Sequence, residues 1–261
     1  MTIFLHELKR SKISLLIWSC AIAFMLALCV FIYPEMKSQM DDISTMFADM
    51  GSFSAAFGMD KINFGTFIGF FGVECGEIMG LGGALFASIV GISALAKEEK
   101  EHTAEFLLTH PVSRERVLTE KLLAVFVQII ILNLISALVT VISMLAVGES
   151  ADAEIMFLLF LSYFIMQIEV ASITFGISAF IKGNGLGIGL GIAILLYFLN
   201  IVSNLTEDAK FLKYITPFGY TEGAEIISNS AIEMKYVAVG IGLMAAGIVV
   251  AFIKYRKKDI G

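Results

Sequence analysis

The chain has 261 residues, of which 58% are hydrophobic and 16% charged, with a formal net charge of -6 and a mean hydropathy of +0.87. An ordinary soluble domain carries roughly 25% charged residues, so this composition excludes a single water-soluble core and makes lipid the solvent to reason with. The acids sit mostly between apolar runs, and neither nucleic acid nor any other basic partner is expected from the charge balance.

Residues 3–12, IFLHELKRSK, place Ile3, Phe4 and Leu8 near one another at helical spacing with charges on the other side. This predicts a short interfacial helix before the first span, the alternative being an ordinary basic flank. The apolar run 13–33 that follows is too long for a signal h-region and lacks an A-x-A site, so it reads as a retained first span. An acidic, methionine-rich segment runs from about Pro34 to Asn63. From Asn63 to Ala96 there is no clear break, and a helix of that length would reach about 51 Å, so part of it projects from the membrane or turns back.

Further spans are predicted at 75–96, 118–147, 155–181, 186–205 and 236–254, with ends good to about 2–4 residues. The runs 118–147 and 155–181 exceed what a membrane requires and are tilted or extend beyond the hydrocarbon. The reading is an all-α integral membrane protein with six transmembrane helices, a single transmembrane domain over 1–261. Placing both ends inside puts thirteen of the eighteen Lys and Arg residues in the cytoplasm, which the positive-inside rule favours. Cys20, Cys29 and Cys75 lie in or beside apolar runs without metal-ligand spacing and read as buried small hydrophobes.

The segment from Lys97 to Lys121 is charged at both ends around a short helix-like core. At 100° per residue Ala104, Leu107, Leu108 and Pro111 share one face and Glu98, Glu101 and Glu105 an adjoining one, and Pro111 ends the helix. Such a helix fits a groove on a soluble protein partner or lies on the inner leaflet; three acids beside the apolar face make anionic lipid the poorer partner.

The run Glu101, Thr103, Ala104, Glu105, Phe106, Leu107, Leu108, Thr109, Pro111, Val112, Ser113 and Arg114 resembles the cytoplasmic-loop signature of ABC-2 type transporter permeases, E-x-G-T-x-E-x-L-L-x-x-P-V-S-R. His102 stands where glycine is usual, which alters the turn into the helix. The resemblance extends to the whole chain, including Thr216, Pro217 and Phe218 in the outer loop before the last span. It implies a multi-pass permease in the cell membrane that pairs with a second copy of itself or a related permease. A separate cytoplasmic ABC ATPase subunit drives it, with these loop residues as the coupling helix. Export is the direction implied. No G-x-x-x-x-G-K-[ST] motif occurs, so ATP and Mg belong to the partner ATPase, and this chain is expected to hold no cofactor or metal and to be no enzyme.

Within the spans, a carboxyl such as Glu169 costs several kcal/mol unless protonated, paired or wet. It is expected to face the bundle or a dimer cavity, either on the translocation path or in a structural bond to a neighbouring helix with Gln167 nearby. Glu74 and Glu77, at i and i+3, face the same way and form an acidic exit with Glu222 and Glu225, or are solvated residues of a projecting helix. Gly72, Gly76 and Gly80, and likewise Gly183, Gly187 and Gly191, have the small-xxx-small spacing that lets backbones approach, within one subunit or at a dimer seam. Thirteen methionines and 22 phenylalanines suit a path for amphipathic cargo, of which antimicrobial-type peptides are favoured.

Two other classes compete with this reading. Glu98 and Glu99 resemble the paired glutamates of membrane CAAX-type proteases, but the expected arginine is missing and His6, His102 and His110 all lie outside the spans. A non-transporting scaffold or sensor needs no path through the bundle and no ATPase at the loop.

Overall fold

The computed structural model describes residues 2–37, 50–57, 59, 62–63, 65–100, 113–181 and 183–257. Among these residues all regular structure is helical: α1 (Thr2–Lys37), α2 (Ser52–Ala56), α3 (Phe67–Glu77), a π-helical turn (Ile78–Gly82), α4 (Gly83–Lys100), α5 (Arg114–Val147), α6 (Ala153–Ser178), α7 (Leu186–Leu205), α8 (Gly223–Asn229) and α9 (Met234–Arg256). Two 3-10 segments, Glu207–Tyr214 and Pro217–Tyr220, lie between α7 and α8. Among the described residues six helical segments are long and apolar enough to cross a membrane: Ile3–Lys37, Phe67–Ala96 and the helices α5, α6, α7 and α9. The start of α1 and the end of α9 lie at one end of the bundle, here the terminal face, and the α7–α9 connection caps the opposite, distal face.

Residues 3–12 are helical, but they are not a separate interfacial helix. α1 runs unbroken for 36 residues, about 54 Å at 1.5 Å per residue. No glycine or proline interrupts its first turns, and α5 holds them. The Glu120 carboxylate accepts the backbone N–H groups of Ile3 and Phe4 at 3.0 and 3.1 Å, satisfying donors that a helix start leaves open. The helix also continues one turn past the expected boundary, with Pro34 inside it.

α6 is the central helix. It is apolar on all sides and buries Ser162, Gln167, Glu169, Ser172, Thr174 and Ser178, as expected of a helix surrounded by others. α4 and α9 pack on it most extensively. At the α6–α9 crossing a Cβ added to Gly176 would lie 2.6 Å from the Gly247 carbonyl oxygen, and one added to Gly247 would lie 2.6 Å from that of Ser172. Only glycine permits so close an approach of backbones. α1, α7 and α9 bury one face each and present residues such as Phe24, Leu195 and Val249 outward, where lipid is the matching solvent.

The two glycine triplets behave differently. Gly72 packs against Ile227 and Gly223 of α8, Gly76 against the Tyr163 hydroxyl and Gly80 against Phe218, all within the chain. An added Cβ at Gly183, Gly187 or Gly191 meets nothing within 4 Å. Gly187 and Gly191 lie on a face that α7 turns outward, and Gly183 precedes the helix in a left-handed backbone conformation, so the triplet does not serve packing within this subunit. Cys20 is likewise exposed and Cys29 only partly buried, since α1 buries a single face against α5.

Candidate functional site

Three polar layers cross the bundle. At the terminal face the residues flanking the predicted coupling loop are tied to three other helices. The loop residues Glu101, Thr103, Ala104, Glu105, Phe106, Leu107, Leu108, Pro111 and Val112 lie outside the described residues. Ser113 and Arg114, the end of the motif, are described. Ser113 is the N-cap of α5 and accepts the Arg116 N–H at 3.3 Å. Arg114 donates to the Tyr255 and Arg256 carbonyls at 3.3 and 2.9 Å, meeting the negative end of α9. Arg116, two residues on, pairs with Glu120 one turn deeper, and Glu120 holds the start of α1. Lys121, only 2% exposed, places its ammonium 2.8 Å from both the Glu7 carboxylate and the Ala94 carbonyl. α5 thus leaves the loop already fastened to α1, α4 and α9.

In the second layer Gln167 and Glu169 do not act as neighbours. Two residues apart on a helix, they point about 200° apart. Gln167 accepts the Asn133 amide at 2.6 Å and donates to the Met79 carbonyl at 3.3 Å, at the π-helical turn. The turn and its glycines make room for this side chain, because a Cβ at Gly83 would lie 2.1 Å from the Gln167 amide nitrogen. The segment from Phe67 to Lys100 therefore neither breaks nor turns back; it passes through one widened turn at a polar side chain from the neighbouring helix. Gln167→Leu should lower stability by about 0.6–1.7 kcal/mol, the range for interhelical hydrogen bonds in membranes, read by unfolding in mixed micelles.

Glu169, 2% exposed, faces the other way. Its carboxylate accepts the Tyr220 hydroxyl at 2.7 Å and fills the space a side chain at Gly240 would need, an added Cβ lying 2.2 Å from it. Tyr220 belongs to the fully buried turn Pro217–Tyr220, which touches α6, α7 and α9. Irregular backbone survives at this depth only where protein satisfies it. Thr216 does so, donating to the Leu196 carbonyl at 2.7 Å and accepting the Phe218 N–H at 3.3 Å, while Thr221 donates to the Phe218 carbonyl at 3.0 Å.

The distal layer divides the four acids expected at an exit. Glu77 accepts a hydrogen bond from Tyr197. Lys213 lies between Glu222 and Glu225, at 2.6 and 3.0 Å. Glu77 and Glu222 line one small cavity, whereas Glu74 is half-buried away from it. Glu222 thus adjoins Glu77 at the cavity and Glu225 at Lys213, and Glu74 does not line that cavity.

Sequence reasoning missed Tyr197, Tyr220, Asn133 and Lys213. For Asn133 a signal existed, a lone amide inside an apolar run. For the others the partner lies 9 to 120 residues away, and nothing local marks it.

Six apolar helices joined through buried polar layers define a multi-pass membrane protein. The family described as "ABC-2 family transporter protein" matches residues 1–260, and the chain belongs to it. A comparison with curated proteins finds no match.

Proposed function

We propose that this chain is the permease subunit of an ATP-driven exporter, in which two permeases form the path and separate ATPase subunits hold ATP and Mg. The observation that carries this reading is the position of the E-H-T-A-E-F-L-L-T-H-P-V-S-R run. It joins α4 to α5, and its last residue, Arg114, is bonded to the end of α9. A push on such a loop is delivered to the frame through Arg114, Glu120 and Lys121. In this reading the terminal face is cytoplasmic, in keeping with its Lys and Arg residues, and the membrane is the cell membrane.

Gln167 and Glu169 are the path residues at mid-depth, with Glu74 and Glu77 toward the exit. Glu169 is closed beneath Tyr220, so cargo reaches it only when the distal turn moves. An acidic, apolar-walled path suits cationic amphipathic peptides.

The test is reconstitution with the partner ATPase in liposomes, following ATP-dependent movement of a labelled cationic amphipathic peptide. Glu169→Gln keeps an acceptor for Tyr220 and removes the charge, so transport should fall about tenfold or more at little cost in stability. Unchanged transport removes Glu169 from the path, and absence of any ATPase association leaves the scaffold reading in its place.

A further inference from the structure

The 3-10 segment Glu207–Tyr214 lies outside the six spanning helices and carries its side chains inside out. Lys213 points into the protein, 5% exposed, with its ammonium beside Glu222 and Glu225, whereas Phe211 is 61% exposed. Tyr214 and the following Ile215 are exposed as well. A segment bathed in water buries its aromatic residues and lets its lysine reach outward, so the solvent on this side is not water alone.

The depth of the segment follows from its surroundings. Tyr214 packs edge-on against Tyr236 in the first turn of α9, ring centres 4.8 Å apart, and the Lys235 ammonium lies 4.6 Å from the centre of the Tyr236 ring. Tyrosines beside a lysine at the end of an apolar span mark the boundary between hydrocarbon and headgroups. Polarity falls along the segment in the same sense: Glu207, Asp208 and Lys210 at its start are exposed and charged, and the exposed apolar side chains come after them. The backbone agrees. Short 3-10 turns have poor hydrogen-bond geometry, and irregular backbone does not face hydrocarbon, whereas water still reaches it among the headgroups.

We propose that Glu207–Tyr214 is an interfacial anchor, seated in the phospholipid headgroup layer at the distal surface of the membrane, with Phe211, Tyr214 and Ile215 turned toward lipid. The half-exposed Lys210 and Lys235 suit the phosphate level of that layer, a charge match that a purely apolar protein seam would not need. The turn Pro217–Tyr220 begins just beyond the segment, so lipid on one side and Lys213 on the other hold the cover over Glu169 in place. This inference requires only that the chain spans a membrane, and it is read on the purified chain without any ATPase.

Trp18 is the single tryptophan of the chain, so Phe211→Trp in a Trp18→Phe background places one fluorophore on the segment. The full chain is reconstituted in phosphatidylcholine vesicles whose acyl chains carry bromine either close to the headgroup or close to the chain end. The expected result is blue-shifted emission that the shallow bromines quench about twofold more than the deep ones. Leu195→Trp in the same background, midway along α7 on its outward face, should rank the two lipids in reverse. If Trp18→Phe does not fold, the quenching of the wild-type chain is subtracted from that of Phe211→Trp alone. Emission typical of water, quenched by neither lipid, places the segment in water. Blue-shifted emission quenched by neither lipid means that a second copy covers it, and stronger quenching by the deep bromines puts it in the hydrocarbon. Each of these three outcomes overturns the proposal.

Discussion

Leu107→Asp is expected to abolish recovery of the partner ATPase with this permease, and Glu105→Lys to weaken it strongly. A leucine seated in a groove contributes about 2 kcal/mol by burial, and an aspartate in its place adds the cost of an unpaired carboxylate. Together these exceed about 2.8 kcal/mol, or a hundredfold in affinity. In the proposed complex Glu105→Lys reverses a charge that complements a basic rim, where like charges cost more than a lost contact. Co-purification after co-expression with the ATPase measures both. Leu145→Ala, a highly exposed position near the distal end of α5, is the control at which recovery stays at the wild-type level. Full recovery with Leu107→Asp places the loop on the inner leaflet instead and removes the basis of the transporter reading.

The second large effect belongs to Lys213. Burial pulls this ammonium down, and the carboxylates of Glu222 and Glu225 outweigh that and hold it above the ordinary lysine value. A raised value means that the pairing contributes its full stability at neutral pH and loses it only as pH rises past the lysine's own titration in the fold. Lys213→Met removes the cation shared by Glu225 and the almost fully buried Glu222, and should cost about 3–5 kcal/mol. The distal turn loses its footing as well, because the Lys213 backbone lies against Gly219, where an added Cβ would be 2.5 Å from the lysine carbonyl. Thermal unfolding in detergent should show a large fall. Adding Glu222→Gln and Glu225→Gln to Lys213→Met should restore most of it, since the carboxylates that the lysine neutralised are then uncharged amides. A triple variant as unstable as the single one would show that the lysine stem, and not the charge, holds the turn.

Much of this architecture was legible in the chain. A run of some twenty apolar residues has few options in water, and a lipid-spanning segment must be helical to satisfy its own backbone. Leu186–Leu205 matches its predicted range, and the other five spans lie within a few residues of theirs or inside longer helices. That residues 3–12 run unbroken into the first span was not legible, because nothing in them reveals that Glu120 caps them from a distant helix. The candidate site was half legible. Glu169 and Gln167 were identifiable as costly groups inside apolar runs, but their opposite directions and their partners Tyr220 and Asn133 were not.

The sequence by itself determined that the chain crosses a membrane on six helices and where its charged loop falls, because hydrophobic length and charge placement act locally along the chain. Only the tertiary structure decided which acid meets which donor, which glycine triplet is buried, and how the distal turn sinks into the bundle. Those outcomes depend on the rotation and depth of neighbouring helices, and a uniformly apolar helix such as α6 carries no periodicity from which to read its rotation.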